Sequence, residues 1–321
     1  MSDRHRIGII GVSGYGGGEA LRLVAQHPDL DLAAVYGHGS TGKRLGEMHP
    51  ALVALSPDVA GLKIEPFDPP GCDVDLLLAS MPTGSSRDAL AAVPENVKIV
   101  DIGGDHRFID GWSYGLADVA PDDIRQATRI ANPGCYPTAA LLALVPLQKA
   151  GLINNGQIIV DAKSGVSGAG RGGGEQLGYA DTNESLHAYK PLVHGHEPEI
   201  AQGLGRDVAF VPHLVPITRG LLATCYVPST ANANECVMAA RALYETSPFV
   251  RVTDQPPKTK WASGSNMAFV HYAADEDRAL LVATCAIDNL GKGAAGQAVQ
   301  NANLMLGLAP DAGLRSLPAW P

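Results

Sequence analysis

Short apolar runs alternate with helical stretches over the first hundred residues of the chain. The strand-like runs lie at residues 6–10, 32–36, 74–79 and 98–102. Stretches of helical composition separate them and lie at residues 19–26 and 86–92. This alternation is typical of a parallel sheet with helices on both faces. The first part of the chain is therefore predicted to form an α/β, Rossmann-type, doubly wound domain.

The pattern changes after residue 135. Helices are predicted at residues 138–150 and 233–246. Strand candidates lie at residues 157–162, 208–212, 221–227, 267–272 and 279–287. Strands that follow one another with few helices between them favour a largely antiparallel sheet with helices on one face. The second part is therefore predicted to be an α+β domain.

The sequence has no Pro/Ser-rich tether and no internal repeat that would mark a domain boundary. The boundary is therefore placed where the pattern of strands and helices changes. The first domain is predicted to span residues 1–134 and the second to span residues 135–290. A final helix is predicted at residues 293–306, and its apolar and polar positions make it amphipathic. We expect the segment 291–321 to return to the first domain, because its apolar face needs a core to pack on.

Composition and charge exclude several classes of protein. Of the 321 residues, 45% are hydrophobic and 18% are charged, which is enough apolar material for two buried cores. The net charge is -9 without a basic block, so we expect no nucleic-acid partner and no anionic membrane surface. No uninterrupted apolar run reaches membrane-spanning length. We therefore expect a cytoplasmic protein that acts on small molecules.

A glycine-rich loop follows the first predicted strand. Gly11, Gly14 and Gly17 have GxxGxxG spacing, and Ser13 and Tyr15 lie between them. Small residues in this position let a pyrophosphate approach the amides at the N-terminus of the next helix. The loop therefore predicts dinucleotide binding, and the alternative is a tight strand-to-helix turn without a ligand.

The segment after the second strand indicates which dinucleotide binds. An NAD-binding chain usually places a carboxylate there, whereas residues 36–43 read Tyr-Gly-His-Gly-Ser-Thr-Gly-Lys. Ser40 and Lys43, with His38, can instead contact a 2′-phosphate. The predicted cofactor is therefore NADP(H), and the alternative for Lys43 is an ordinary solvated lysine.

The cysteines have different surroundings. The chain has five, an odd number without C-x-x-C spacing, which argues against a disulfide framework and a structural zinc site. Cys135 lies in the turn Asn-Pro-Gly-Cys-Tyr-Pro-Thr, directly before an apolar helix. The unpaired amides and the dipole of that helix stabilise a thiolate, so Cys135 is the predicted nucleophile. The alternative is an inert buried cysteine, which is the role expected for Cys225 and Cys285 in their apolar strands.

Two histidines supply candidate acid–base groups. His194 and His196 are two residues apart, and a thiolate enzyme needs one imidazole to accept the thiol proton and to protonate an oxygen later. The sequence leaves open which of the two does this. Metal ligation by the pair with a glutamate is the alternative, but no further ligand spacing supports it, so no metal is predicted.

Two segments favour an acidic substrate. Residues 163–171 contain Ser164 and Arg171 among glycines, and hydroxyls, loop amides and a guanidinium can hold a phosphate or a carboxylate. Arg219, in the segment 216–220, adds a second candidate cation. A flexible surface loop and a surface salt bridge are the respective alternatives.

Several longer motifs occur together, and in this combination the chain resembles the N-acetyl-γ-glutamyl-phosphate reductase family, which is related to aspartate-semialdehyde dehydrogenase. The motifs are GxSGYxGxE at 11–19, NPGCYPT at 132–138, KSGVSGAGR at 163–171, HxHxPE at 194–199, PHLVPITRG at 212–220 and IDNLGKGAAGQAVQN at 287–301. Their length and common order make chance agreement implausible, unlike a glycine loop alone.

The resemblance implies a nucleotide-binding domain, a catalytic and dimerisation domain, and a function. The family reduces N-acetyl-γ-glutamyl phosphate with NADPH to N-acetylglutamate 5-semialdehyde in arginine biosynthesis, through a thioester on the cysteine that matches Cys135. It also implies a homodimer or homotetramer. By the same resemblance Tyr189, with Ser164 and Arg171, lies near the substrate, and Asn289 lies near the cofactor.

Some positions depart from the family pattern. Gly195 replaces an arginine that often stands between the two histidines, and Gly103, Gly104 and His106 replace serine, alanine and phenylalanine. These changes leave open a related reductase that acts on carrier-bound aminoadipyl phosphate in lysine biosynthesis. Aspartate-semialdehyde dehydrogenase and a nonenzymatic NADP sensor are the further alternatives.

Overall fold

The computed structural model describes residues 4–172, 174 and 177–319, and these residues form two compact units. The first unit ends at Pro133 and resumes with Ala294–Arg315. The second unit runs over Gly134–Gly293 and resumes at Ser316. The returning segment therefore contributes Ala294–Arg315 to the first unit, rather than residues 291–321 as predicted. Residues 320 and 321 of that prediction lie outside the described part of the chain.

The first unit contains a parallel sheet. Its strands are β1 (His5–Ile10), β2 (Leu30–Tyr36), β3 (Leu76–Ala79), β4 (Lys98–Asp101), β5 (Ser113–Tyr114) and β6 (Arg129–Ala131). Their order is β2-β1-β3-β4-β6-β5, and every neighbouring pair is parallel. The order reverses beside β1, which places a crevice for ligands at its carboxyl end. The predicted doubly wound α/β sheet is confirmed.

Helices connect the strands of this sheet. They are α1 (Tyr15–Val24), α2 (Leu45–Met48), α3 (Ala51–Leu55), α4 (Pro57–Gly61), α5 (Ser86–Leu90) and α6 (Pro121–Gln126). Helix α1 begins at Tyr15, four residues before the predicted start, although Tyr-Gly-Gly-Gly is a poor helix-forming sequence. Tertiary packing overrides that propensity, because the first turn of α1 lies against the glycine loop. The short helices α2, α3 and α4 have too few residues for a periodic pattern and were not predicted.

The second unit contains a mixed sheet covered by helices. The helices are α7 (Cys135–Lys149), α8 (Tyr179–Thr182), α9 (His196–Leu204) and α10 (Ala233–Leu243), and the strands are β7 (Ile158–Gly165), β8 (His187–Ala188), β9 (Val208–Val215), β10 (Leu221–Pro228), β11 (Val250–Val252), β12 (Ala268–Asp275) and β13 (Leu280–Ile287). The strand order is β11-β12-β13-β10-β7-β9-β8. Only the β11–β12 and β7–β9 pairs are parallel among these described strands, so the predicted largely antiparallel sheet is confirmed.

Helix α7 forms the centre of the second core. Its residues from Tyr136 to Leu147 are all buried, and it packs on β10, β12 and β13. A helix that is apolar on all sides belongs in a core or in a membrane. Neither α7 nor any other helix in the described part of the chain is long and apolar enough to cross a membrane.

The last helix, α11 (Gly296–Met305), lies in the first unit and packs on α1, α6 and β4. Every residue of α11 is buried, so the prediction of an amphipathic helix is wrong. Its polar residues bind inside the unit instead of facing solvent. Gln297 donates to the Gly115 carbonyl at 2.6 Å, and Asn303 donates to the Ala312 carbonyl at 2.9 Å. These bonds give partners to the amide N–H groups. The side-chain oxygens of Gln297 and Asn303 are buried and have no hydrogen-bond partner among the residues that the structure describes.

Candidate active site

In the loop between β1 and α1 the backbone is packed too closely for side chains. Gly11 has a φ of +85°, and a Cβ built there would collide with the carbonyl oxygen of Ser80. A Cβ built on Gly17 would collide with the carbonyl oxygen of Gly11. The Gly14 N–H donates to that same oxygen at 3.0 Å and closes the turn. The loop therefore presents bare backbone at the N-terminus of α1, where a pyrophosphate can bind.

The other predicted cofactor residues of the first unit lie in two places. Ser13 and Tyr15 lie in the glycine loop, and the Tyr15 side chain is exposed. Ser40 and Lys43 follow β2, and the Lys43 N–H donates to the Ser40 carbonyl at 3.2 Å. The buried Ser40 hydroxyl has no hydrogen-bond partner among the residues that the structure describes, whereas Lys43 is exposed. A buried hydroxyl of this kind fits a site that a polar ligand group completes, so these residues fit a dinucleotide.

Cys135 is the first residue of α7. The Thr138 N–H and hydroxyl both donate to the Gly134 carbonyl at 2.9 Å, which fixes the turn before the helix. A Cβ built on Gly293 would lie 2.7 Å from the Cβ of Cys135, so backbone alone covers one side of the thiol. The position exposes the sulfur to the amides and positive dipole end of a 15-residue helix.

The other cysteines lie in different surroundings. Cys135 is half-buried, whereas Cys72, Cys225, Cys236 and Cys285 are buried. Burial raises the pKa of the Cys225 thiol to about 12 and that of the Cys236 thiol to about 11, and it raises the pKa of Cys72 and Cys285 as well. These four thiols stay protonated at neutral pH. Cys135 is therefore the cysteine whose position suits a nucleophile.

The two histidines have different positions relative to the Cys135 turn. A Cβ built on Gly134 would collide with the His196 imidazole, so this ring packs directly on the residue before Cys135. His194 lies one ring further away, with its centroid 4.7 Å from that of His196. The His194 Nδ1 accepts the His196 backbone N–H at 3.0 Å, which leaves the proton of a neutral His194 on Nε2. Burial, and secondarily Lys190, lowers the pKa of His194.

Aromatic rings surround the two imidazoles. The Tyr136 ring lies 5.9 Å from the centroids of both His194 and His196 and 5.2 Å from that of Phe210. The Tyr189 hydroxyl donates to the Tyr136 hydroxyl at 3.3 Å, so Tyr189 belongs to this cluster. Its contact with the substrate stays a prediction. Burial raises the pKa of Tyr189 to about 12 and that of Tyr136 further, so both phenols stay protonated.

Glu199 is a site residue to which sequence reasoning assigned no role. It lies in α9, three residues after His196, and is 2% exposed. Its Oε1 accepts the Gly134 N–H at 2.8 Å, and its Oε2 lies 4.0 Å from the His196 Nε2. The i, i+3 spacing of a histidine and a glutamate was the available signal. It was missed because α9 was not predicted as a helix.

The segment after β7 holds two predicted substrate residues. Ser164 is buried at the end of β7, and its hydroxyl donates to the Gly165 carbonyl at 3.1 Å. Its hydroxyl lowers the pKa of the Tyr136 phenol, against the larger opposite effect of burial, so Ser164 lies beside the aromatic cluster. Arg171 follows a 3₁₀ turn and is exposed.

Arg219 pairs with a carboxylate of its own unit. Its Nε and Nη2 donate to the two Asp288 oxygens at 2.9 and 3.0 Å. Asp288 is fully buried and also accepts the N–H groups of Gly264, Leu290 and Gly291. A bidentate guanidinium pair at a buried carboxylate fixes geometry strongly. A surface salt bridge was the alternative for Arg219, and the structure shows a salt bridge whose carboxylate is buried instead. The role of Arg219 in substrate binding stays a prediction.

Asn289, the residue after Asp288, connects the segment that follows β13 to Gly220 and to the 3₁₀ turn after Ser164. Its Oδ1 accepts the Gly220 N–H at 2.8 Å, and its Nδ2 donates to the Ser167 hydroxyl at 2.9 Å. Both ends of the side-chain amide thus act inside the second unit, so the predicted cofactor contact of Asn289 stays a prediction. Asp288 and Asn289 together hold the backbone that leads to the π-helical turn Gly291–Ala295 and to Gly293 beside Cys135.

The atypical residue His106 has its own partners in the first unit. Its Nδ1 lies 2.7 Å from an oxygen of buried Asp101, and its ring stacks on Trp112 with centroids 3.8 Å apart. A phenylalanine can stack in this way but cannot bind the carboxylate. Gly104 has a φ of +100°, a region that disfavours the alanine usual in the family. These departures from the family pattern therefore form a consistent local structure.

Two family models match the chain. The model "Semialdehyde dehydrogenase, NAD binding domain" matches residues 6–127, and "Semialdehyde dehydrogenase, dimerisation domain" matches residues 135–289. Among solved structures, aspartate semialdehyde dehydrogenase II from Vibrio cholerae, complexed with ASA, matches with a TM-score of 0.73 at 19% identity, over 95% of this chain and 99% of that chain. The enzyme from Candida albicans, with NADP, matches with a TM-score of 0.70 at 15% identity, over 94% and 98%. At these identities the structures show a shared fold.

Curated relatives match at higher identity. A protein from a Bradyrhizobium species is 57% identical over 98% of this chain and 99% of its own length. A protein from a Methylobacterium species is 55% identical and one from Brevibacillus brevis is 40% identical, with the same coverage. All three are named N-acetyl-gamma-glutamyl-phosphate reductase.

Proposed function

Because the chain belongs to the N-acetyl-γ-glutamyl-phosphate reductases, a family built from semialdehyde dehydrogenase domains, we propose that it carries out their reaction in arginine biosynthesis. The reaction reduces N-acetyl-γ-glutamyl phosphate with NADPH to N-acetylglutamate 5-semialdehyde and releases phosphate. The observation that carries the proposal is the accessible Cys135 at the start of α7, with the His196 imidazole packed on its turn.

The first half of the reaction forms a thioester on Cys135. His196 takes the thiol proton, because its ring lies against the Cys135 turn. The thiolate attacks the acyl carbon, a C–S bond forms, and the C–O bond to the phosphate breaks. The phosphate leaves and takes a proton from solvent. Amides at the start of α7 stabilise the negative oxygen of the tetrahedral intermediate.

The second half releases the aldehyde. NADPH, when bound, supplies the hydride that reduces the thioester carbonyl. The protonated His196 gives its proton to the oxygen of the resulting thiohemiacetal and takes it back as the C–S bond breaks. The aldehyde leaves, and the thiolate and imidazolium are regenerated. His194 supports this cycle through its Nδ1 bond to the His196 backbone, which holds the start of α9.

The substrate carries a carboxylate and a phosphate, and we assign its binding to the segment after β7. Ser164 and Tyr189 contact it beside the Cys135 turn, because the Tyr189 hydroxyl donates to Tyr136 and the Ser164 hydroxyl lowers the pKa of the same phenol. Arg171 is the exposed cation of that segment. Arg219 is the second cation, and its hydrogen bond to buried Asp288 fixes the position of its guanidinium. Gly195 offers no guanidinium, so phosphate binding depends more on Arg171 and loop amides.

The assignment of NADP(H) rests on the first unit. Gly11, Gly14 and Gly17 leave backbone room for the pyrophosphate, with Ser13 and Tyr15 at its sides. The Ser40 hydroxyl and the Lys43 ammonium receive the 2′-phosphate.

We also infer that the enzyme is a cytoplasmic homodimer or homotetramer. The family model over residues 135–289 is a dimerisation domain. One face of the second sheet supports self-association, because Ile159 and Tyr226 are cross-strand neighbours and are both exposed. Paired exposed apolar side chains on a sheet favour a protein contact.

The reverse reaction tests the proposed function. Purified protein with N-acetylglutamate 5-semialdehyde, phosphate and NADP should form reduced cofactor, measured by its absorbance. The aminoadipyl analogue should react much more slowly, and preference for that analogue or for aspartate semialdehyde would reassign the substrate. Cys135→Ser should lose turnover but keep NADP binding. A nonenzymatic sensor would instead show no turnover in the parent protein with any of the three aldehydes.

A further inference from the structure

Glu199 is a buried carboxylate between two parts of the candidate active site. It is 2% exposed, and a carboxylate removed from water is costly unless its oxygens have polar partners. One oxygen accepts the N–H of Gly134, the residue before Cys135, at 2.8 Å. The other lies 4.0 Å from the His196 Nε2. The sequence separation of 65 residues shows that the fold brings these groups together.

We propose that Glu199 is a positioning residue: one carboxylate oxygen holds the turn that carries Cys135, and the other stabilises the protonated imidazole of His196. The inference rests on the proposed function, in which His196 receives the thiol proton. It extends that function by connecting nucleophile, acid–base group and carboxylate in one unit. Glu199 itself touches neither substrate nor reacting atoms in this assignment.

The surroundings of His196 favour this role for Glu199. His194 and Tyr136 also face the His196 ring, with centroids at 4.7 and 5.9 Å, and Cys135 lies on the adjacent turn. Burial lowers the pKa of His194 and raises that of Tyr136, so both are neutral near pH 7. Glu199 therefore supplies the negative charge that faces the imidazole from α9 itself.

A neutral hydrogen-bond acceptor would suffice if Glu199 only held the turn. Glutamine has the same shape and keeps an oxygen for the Gly134 N–H, but it has no charge. Glu199→Gln thus separates the two contacts of the carboxylate. Glu197 provides a matched control, because it lies in the same first turn of α9 and its Oε2 accepts the Phe210 N–H at 2.9 Å instead.

The test is an NMR titration of the histidine Cε1–H signals in the full-length protein, without substrate or cofactor. A Cys135→Ser background removes the thiol, and His196→Gln identifies the His196 signal. Adding Glu199→Gln should lower the titration midpoint of His196 by about one pH unit, because an opposite charge at this distance favours the protonated form. Adding Glu197→Gln should leave the midpoint unchanged.

Two results would overturn the proposal. One is a His196 midpoint that does not move in a folded Glu199→Gln protein, and the other is an equal shift in Glu197→Gln. If Glu199→Gln does not fold, Glu199→Asp decides, since a shorter carboxylate should lower the midpoint by a smaller amount and no change contradicts the idea. Because no substrate is used, failure of this test is distinct from failure of the assigned reaction, which only the aldehyde assay measures.

Discussion

The glycine loop of the first unit and the Cys135 turn of the second unit both place chemistry at the start of a helix, by opposite means. In the loop, Gly11 and Gly17 leave backbone bare because any Cβ would strike a carbonyl oxygen. In the turn, side chains make the site, since Glu199 binds the Gly134 N–H and His196 packs on the same residue. Ligand access to the loop therefore requires that its glycines carry no Cβ. The geometry of the turn requires the polar side chains of Glu199 and His196.

This difference teaches what kind of change each site tolerates. Added atoms should damage the loop, whereas changed charge or hydrogen bonding should damage the turn. Gly134 is the place where the distinction is weakest, because it lies in the turn but also has no room for a Cβ. Substitutions at glycines in both units can thus separate cofactor binding from thiol chemistry.

Gly11→Ala should have the largest effect and should act on the cofactor. The φ of +85° strains any side chain there, and the new methyl group meets the Ser80 carbonyl. We expect NADPH affinity, measured by fluorescence titration, to fall at least ~100-fold, as strain of a few kcal/mol implies. Iodoacetamide should still alkylate Cys135 at the parent rate. Gly39→Ala is the control, since nothing lies within 4 Å of a Cβ there; loss of Cys135 alkylation in Gly11→Ala would break the comparison.

Gly134→Ala should produce the reverse pattern. The methyl group displaces the His196 imidazole and alters the turn before Cys135. A displacement near 1 Å costs about 100-fold in turnover, so kcat should fall by that order. NADPH affinity should stay at the parent value. Gly195→Ala has open space at its Cβ and should keep most activity; equal losses in both alanine variants would show that the crowding at Gly134 is unimportant.

The sequence predicted the strands and the helices α1 and α7 of the two regions, but neither helix α9 nor the contacts that distinguish the regions. Local periodicity reports burial, which is why the two sheet types and the Cys135 helix were found. Glu199 and Gly134 are 65 residues apart, and Arg219 and Asp288 are 69 apart, so spacing along the chain carries no sign of either pair. Only the fold shows that these polar groups meet.

Two helices show the same limit in different ways. Helix α9 was missed, although Pro198 near its start and Gly205, with a φ of +70°, at its C-cap are typical helix boundaries. Its nine residues contain too few apolar positions for a clear period. Helix α11 was found but given a solvent face, because its asparagines and glutamines are polar in any pattern analysis. Their burial depends on partners in distant segments, such as Gly115.

A smaller effect is expected at the cofactor phosphate. Ser40 and Lys43 follow β2, and the double variant Ser40→Ala, Lys43→Ala removes a buried hydroxyl and an exposed cation. We expect KM for NADPH to rise about 10-fold, as the loss of one charge-assisted contact implies, with KM for NADH little changed. The ratio of the two constants is the measurement. An equal rise for both cofactors would contradict the assignment of the 2′-phosphate to these residues.

The smallest effect concerns acid stability and compares one imidazole in each unit. His27 accepts the Asp29 N–H on Nδ1 at 3.1 Å, as His194 accepts the His196 N–H, and burial lowers the pKa of both. The unfolded chain, with its usual histidine pKa of 6.5, therefore binds more protons than the folded chain as the pH falls through that value. The free energy of unfolding should therefore be at its full value above pH 6.5 and should fall below that pH, by about 1 kcal/mol or less for each histidine.

Urea unfolding at pH 7.5 and 5.5 is the measurement. Asparagine keeps an acceptor near Nδ1 but does not titrate, so His27→Asn and His194→Asn should each lose less unfolding free energy between these pH values than the parent protein. If either variant loses as much stability as the parent, that imidazole is not responsible for the acid sensitivity of its unit.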